Sequence, residues 1–202
     1  MKVAVLGASG HAGSEIVKEL DRRGHQVTGI ARNPSKIPSG KNIKAVAGDA
    51  NEKAALTEVL AGHDAVISAL MFSSANADLM LDLVKSANVS RYMVVGGAGS
   101  LEIEGQRLVD SEQFPDEYKP EATQGVKFLE RLKQENDVDW TFVSPSIEFT
   151  DGPRTGQFRL GTDSPLFDAD GKSHISFADF AIAFVDDLEK PAHSRRRFTV
   201  GY

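Results

Sequence analysis

Three glycines stand at regular spacing in VLGASGHAG, at Gly7, Gly10 and Gly13, directly behind the apolar run Val3–Leu6. Glycine at position 7 permits a tight turn. At position 10 it lets a ligand atom reach the backbone, and at position 13 it lets a following helix pack closely on a sheet. The free N–H groups and dipole of a helix that opens here favour an anion. Strand, Gly-x-x-Gly-x-x-Gly turn and helix together predict the pyrophosphate of a dinucleotide. Its contacts are Gly7, Ser9, Gly10, Ala12 and Gly13, with His11 facing either the pyrophosphate, the reaction pocket or solvent. The alternative is an ordinary strand-to-helix turn. What weighs against it is the position after a strand, at the head of a helix, in a β-α-β unit.

The elements that must position these residues alternate in type. HAGSEIVKELDRRG has helical spacing, with Ile16, Val17 and Leu20 on one face and Gly24 as the stop. QVTGIAR, IKAVAG, DAVISAL and RYMVVGG read as strands, and NEKAALTEVLAG and ANADLMLDLVKSAN as helices, the first N-capped by Asn51. Apolar strands alternating with helices mean a parallel sheet covered on both faces. Past Gly97 the rhythm breaks into a loop of about twenty residues ending at Pro120, then the helix EATQGVKFLERLKQEN, the strand WTFVS, a Gly/Pro/Asp-rich stretch, the helix SFADFAIAFVDDLEK and the strand RFTVGY. The expectation is one α/β domain over residues 1–202, a doubly wound parallel sheet. Residues 145–202 supply most of a small C-terminal substrate lobe.

The order of VLGASGHAG, ARNP, AGDAN, DAVISAL and VVGGAGSL resembles the short-chain dehydrogenase/reductase superfamily in its extended and atypical branches, which share the Rossmann fold. FPDEYKPEA, DWTFVSPS, RTGQFRLG and GKSHISFADFAIAFVDDLE resemble the NADH-flavin reductase family of small bacterial proteins. Flavin/biliverdin reductases and the NADP-sensing regulators of nitrogen-metabolite repression are more distant likenesses. The resemblance implies a bound NAD(P)H and a flat acceptor, with flavin a substrate rather than a resident cofactor.

NAD-specific sites place Asp or Glu at the end of the second strand. Here that position reads Thr28-Gly29-Ile30-Ala31-Arg32, with no acid. Arg32 is read as pairing with a ribose 2′-phosphate, Ser9 adding a hydroxyl, so NADP(H) is expected over NAD(H); the alternative is a solvated arginine. Asp49 resembles the family's adenine-side acid, and is equally readable as a helix-cap neighbour. Ser68, Ala69 and Leu70 end the fourth strand and would pass under the adenosine ribose.

Short-chain dehydrogenases reduce carbonyls with Tyr-x-x-x-Lys on one helix, the tyrosine giving its proton to the oxygen. This chain has Tyr92 in a strand, Tyr202 at the end, and Tyr118, four residues after which stands Ala122. The motif is absent. Ser100, after Gly96-Gly97-Ala98-Gly99, stands where the resemblance puts a catalytic serine, and Tyr118 is the second candidate. Gly97 is read as a cofactor contact, and Pro145 stands where the resemblance puts a backbone contact to the nicotinamide, the alternative being a strand terminator. Phe72, Phe114, Phe149 and Phe158 could line a pocket for a flat ring, though such residues are more often core. The Arg195–Arg197 run reads as solvated.

A net charge of −6 argues against a nucleic-acid surface, and the absence of cysteine excludes thiolate chemistry and Cys-based metal sites. The five histidines lack metal-ligand spacing, so no metal is expected. No apolar run approaches the roughly 20 residues of a membrane span, and no secretory signal fits the N-terminus. A cytoplasmic monomer or homodimer acting on a small molecule, with no nucleic-acid or membrane partner, is expected. Three functions stand open: reduction of a flavin, quinone or similar acceptor by direct hydride transfer; NADP(H) sensing without turnover; and sugar-nucleotide epimerisation or dehydration.

Overall fold

The computed structural model describes residues 1–202. Its strands are β1 (Lys2–Leu6), β2 (Gln26–Ala31), β3 (Ile43–Ala47), β4 (Ala65–Ser68), β5 (Arg91–Val95), β6 (Glu102–Ile103), β7 (Gln106–Arg107), β8 (Asp139–Pro145), β9 (Glu148–Thr150), β10 (Arg159–Gly161), β11 (His174–Ser176) and β12 (Arg196–Gly201). Its α-helices are α1 (His11–Arg22), α2 (Lys53–Leu60), α3 (Ala77–Ser86), α4 (Lys119–Leu132) and α5 (Phe177–Glu189).

One eight-stranded sheet runs β10-β12-β8-β5-β4-β1-β2-β3. Every neighbouring pair is parallel except β10 with β12. The chain moves outward from β1 to β3, then returns to β4 on the other side of β1. That reversal opens a crevice at the carboxyl ends of β1 and β4, where open α/β sheets bind ligands. Successive residues of each strand feed opposite faces. Val3 and Val5 join α1 and α5 on one face, with Ile16, Leu20, Phe180 and Phe184. Ala4 and Leu6 join α2, α3 and α4 on the other, with Leu56, Met80, Leu129 and Phe142. Burial on both faces explains why the strands read as continuous apolar runs.

The doubly wound sheet follows the sequence expectation; several details do not. The N-cap of α2 is Glu52, without a side-chain cap bond. Asn51 instead donates its backbone and side-chain N–H groups to Asp49 Oδ1, each at 2.9 Å, so Asp49 takes the local acceptor role first. The long loop after Gly97 contains a 3-10 turn at Ala98–Ser100, the β6–β7 hairpin and a second 3-10 turn at Leu108–Asp110. Helix α4 opens two residues early, at Lys119, because Pro120 fits the first turn. Within 145–202, β12 lies inside the main sheet and α5 packs beside α1. β10 is the antiparallel edge strand of that sheet, and only the two-stranded β9–β11 sheet and its loops stand apart. The arginine run is not uniformly solvated: β12 turns Arg197 inward, leaving 5% of its side chain exposed.

Candidate functional site

The glycine turn joins β1 to α1, and each glycine has a separate physical reason. Gly7 has φ +79°, and a Cβ there would stand 2.4 Å from the Ala69 carbonyl oxygen. A Cβ on Gly13 would stand 2.2 Å from the Gly7 carbonyl oxygen. These two let the turn, α1 and the end of β4 close on one another. Gly10 differs: a Cβ there would meet only the Gly7 oxygen, at 3.4 Å, with open space beyond. Gly10 is also the N-cap of α1, with no side chain capping it. The first helical closure is Ser14 N–H to Gly10 C=O at 2.8 Å, so the N–H groups of His11, Ala12 and Gly13 have no protein acceptor. By contrast α3 and α5 are capped by Asn76 and Ser176. An uncapped helix start with an empty approach is a cradle for an anion.

A cavity of about 450 Å³ lies on this cradle. Gly7, Ser9 and Gly10 form its floor, Arg32, Asp49 and Asn51 one end, and Ala69, Leu70, Met71, Ser73 and Ser74 the opposite wall. Arg32 follows β2, is exposed, and makes no ion pair or hydrogen bond with the protein. A guanidinium with no hydrogen-bonded carboxylate at a cavity mouth suits a phosphate. At the same end, the Asn51 N–H groups, with Arg32 adding a smaller effect, hold the Asp49 carboxyl below its ordinary value. Ser68 is buried behind this wall, so only Ala69 and Leu70 of that trio reach the cavity.

Neither candidate catalytic residue lines the cavity. Ser100 is 6% exposed, and its Oγ accepts from Arg197 Nη1 at 3.2 Å. The same guanidinium donates from Nε to Asp163 Oδ1 at 3.0 Å, so the pair staples the β5–β6 connection to the loop after β10. Tyr118 is 61% exposed and lines neither main cavity. Its phenol is raised above its ordinary value by the Glu117 carboxylate, opposite to what an acid catalyst needs. Gly97 and Pro145 sit at the carboxyl ends of β5 and β8, Pro145 paired with Val200. His11 is exposed and stacks on Phe177 at 5.3 Å. The four phenylalanines do not form one pocket. Phe72 packs with Phe128 and Phe142 on the α4 face, while Phe149 and Phe158 pack against the α1–α5 core.

Two buried carboxylates escaped the sequence reading. Glu19, in the middle of α1, accepts two bonds from Arg154 and one from Arg23, each 2.9 Å. Burial works to raise its pKa, but the arginine hydrogen bonds outweigh it and hold it at about 2. Asp179 accepts from Thr155 N–H, Gly156 N–H and the Tyr202 hydroxyl, each at 2.8 Å. Together they tie loop 151–157 down across α1 and α5. A helical acid gives no such signal in one dimension, since Arg154 lies 135 residues from Glu19, and Thr155 and Tyr202 lie 24 and 23 residues from Asp179.

The residues at the cradle fit a dinucleotide: Gly10 leaves the space, the α1 N–H groups face it, and Arg32 offers an unpaired cation. The comparisons with known proteins agree. A family model described as NAD(P)H-binding matches residues 7–188. The Bacillus subtilis protein YwnB, uncharacterised, is 41% identical over 211 aligned positions, covering 99% of this chain and 98% of that one. A crystal structure from Bacteroides thetaiotaomicron, provisionally named an epimerase, is 40% identical with a TM-score of 0.94, covering 100% and 96% of the two chains. One from Streptococcus pneumoniae, provisionally named an NADH-flavin reductase, is 38% identical with a TM-score of 0.87, covering 100% and 99%.

Proposed function

The chain belongs to this NAD(P)H-binding family, and on that premise we propose that it is an NADPH-dependent reductase of flat conjugated acceptors such as flavins or quinones. One observation carries the reading. The cleft offers a pyrophosphate cradle that ends at Arg32, which makes no ion pair, while the sequence holds no Tyr-x-x-x-Lys proton relay. Gly7 and Gly10 give the pyrophosphate access to the N–H groups that open α1. Arg32 pairs with the 2′-phosphate, and Ser9 lines the same cavity. Ala69 and Leu70 fix the ribose side. When bound, such a cofactor supplies a hydride.

The acceptor class follows from the missing acid. Reducing a simple ketone places charge on one oxygen, and a positioned acid is worth about 10²–10⁴ in rate. Ser100 is held by Arg197, and Tyr118 points to solvent. A conjugated ring spreads the charge and takes its proton from water, so orientation suffices. The provisional name of the Streptococcus pneumoniae relative supports the same class. An epimerase, the provisional name of the Bacteroides relative, is disfavoured because its usual Tyr-x-x-x-Lys is missing. The absent relay also favours a second reading, an NADP(H)-binding regulator without turnover. We place either protein in the cytoplasm, working on small molecules alone.

The test is initial-rate loss of reduced-nicotinamide absorbance with riboflavin, FMN, menadione and a set of simple ketones. Turnover with the flat acceptors and almost none with the ketones supports the reductase. Tight NADPH binding with no turnover on any acceptor rejects it in favour of the regulator.

A further inference from the structure

The first turn of α4 carries a carboxylate that leaves its own helix. Glu121 reaches across to the loop after β4. Its Oε1 accepts from Phe72 N–H, and its Oε2 accepts from Ser73 N–H at 3.1 Å. Both oxygens of one carboxylate are therefore spent on two consecutive backbone donors. The Phe72 ring beneath is equally fixed. A Cβ on Gly125, one turn along α4, would come within 2.8 Å of it, and the ring packs on Phe128 at 5.2 Å.

What this loop does is visible from its neighbours. Met71, Ser73 and Ser74 form a wall of the cleft, and the same three residues line a second cavity of about 730 Å³ that reaches Glu121. The loop is a partition between the two spaces, and α4 holds it by a carboxylate and a ring. We propose that Glu121 is the positioning residue that sets the width of the cofactor cleft. The inference rests on reading the cleft as a nucleotide site; it does not depend on which nucleotide or acceptor is used. With the clamp released, the wall leans into the second cavity, and the fraction of molecules with a competent cleft falls. Apparent affinity falls by the same factor.

Glu121→Gln is the sharp test. A glutamine has one acceptor oxygen and an amino group, so against two N–H donors it keeps one bond and sets donor against donor at the other. The loss of one charge-assisted hydrogen bond from the closed wall predicts Kd values for NADPH and NADH that both rise about five- to tenfold. The ratio between them stays constant, because the clamp lies away from Arg32. Amide exchange at Phe72 and Ser73 accelerates, while the melting temperature moves little. Glu121→Asp keeps the charge but is one methylene short of spanning both donors, and it gives a smaller shift of the same kind; it also serves should the glutamine variant fold poorly. Faster exchange at Phe72 and Ser73 with unchanged Kd overturns the proposal, because the clamp would then be structural only. A loss confined to NADPH overturns it too, by assigning Glu121 to the phosphate. Wild-type protein that binds NADPH no more tightly than NADH would reject the NADPH reading above and leave this test intact.

Discussion

Gly10→Val and Gly13→Ala should fail in opposite ways, although the two glycines belong to one motif. Gly10 has φ −80° and ψ 171°, an extended conformation that valine adopts freely. Its Cβ position touches only the Gly7 oxygen, at 3.4 Å, so the protein accommodates the side chain. Valine is a poorer N-cap than glycine, but it also restricts the unfolded chain, and the two effects nearly offset. The expected stability change is under about 1 kcal/mol. Binding is another matter, because the new methyl groups occupy the space in front of the α1 N–H groups. Losing two hydrogen bonds to a charged phosphate costs about 3–6 kcal/mol, a fall in NADPH affinity of more than about a hundredfold. Gly13→Ala puts a methyl 2.2 Å from a backbone oxygen that cannot swing away. Overpacking of that kind costs about 1–3 kcal/mol, or about 2–12 °C in a chain of this size. Thermal melting and calorimetric titration of both variants decide the matter. A Gly10→Val protein that melts like the wild type and binds NADPH normally refutes the cradle. So does a Gly10→Val protein destabilised as much as Gly13→Ala, since the position would then be packed rather than open.

Other outcomes follow from the same geometry. Arg32→Ala removes a charge-assisted pair worth about 1.5–3 kcal/mol, so NADPH binding weakens tenfold or more while NADH is nearly unaffected; equal losses by titration would show that Arg32 does not read the 2′-phosphate. Tyr118→Phe lowers flavin or quinone turnover no more than severalfold, and a loss in kcat near a thousandfold with binding intact would make the phenol a true general acid. Glu19 falls from an ordinary 4.5 to about 2 in the fold, which contributes about 3 kcal/mol of stability. Because the folded value is the lower one, that contribution is complete above about pH 5 and is lost as the pH falls towards 2. Glu19→Gln should therefore flatten the acid limb of a denaturation profile, and an unchanged limb would remove Glu19 from the account.

The features legible in the sequence were those written within a few residues of one another. Val3–Leu6 followed by the spaced glycines declares a strand, a turn and a helix start, because both periodicity and turn chemistry are local. Arg32 could be singled out locally, as a base after a strand, but its lack of a hydrogen-bonded protein partner is visible only in the fold. Asn51 misled because an Asx turn and an N-cap use the same side chain, and only the fold decides which N–H groups come near. Ser100 lay in the expected loop, but its partner Arg197 is 97 residues away. A three-arginine run looks uniform, while the period of β12 turns one of its members inward. Glu121 was hidden most completely. It stands in the first turn of an amphipathic helix, where acids are common, and its partners are backbone groups of a loop 48 and 49 residues upstream. The loop after Gly97 looked structureless because its strands are two residues long, too short for any alternation to show.

Calorimetric titration of the wild-type protein with NADPH and with NADH tests the central claim most directly. The unpaired guanidinium of Arg32 at the end of β2 predicts NADPH binding at least about tenfold tighter, one charge-assisted pair's worth. Equal affinities, or tighter binding of NADH, would contradict it.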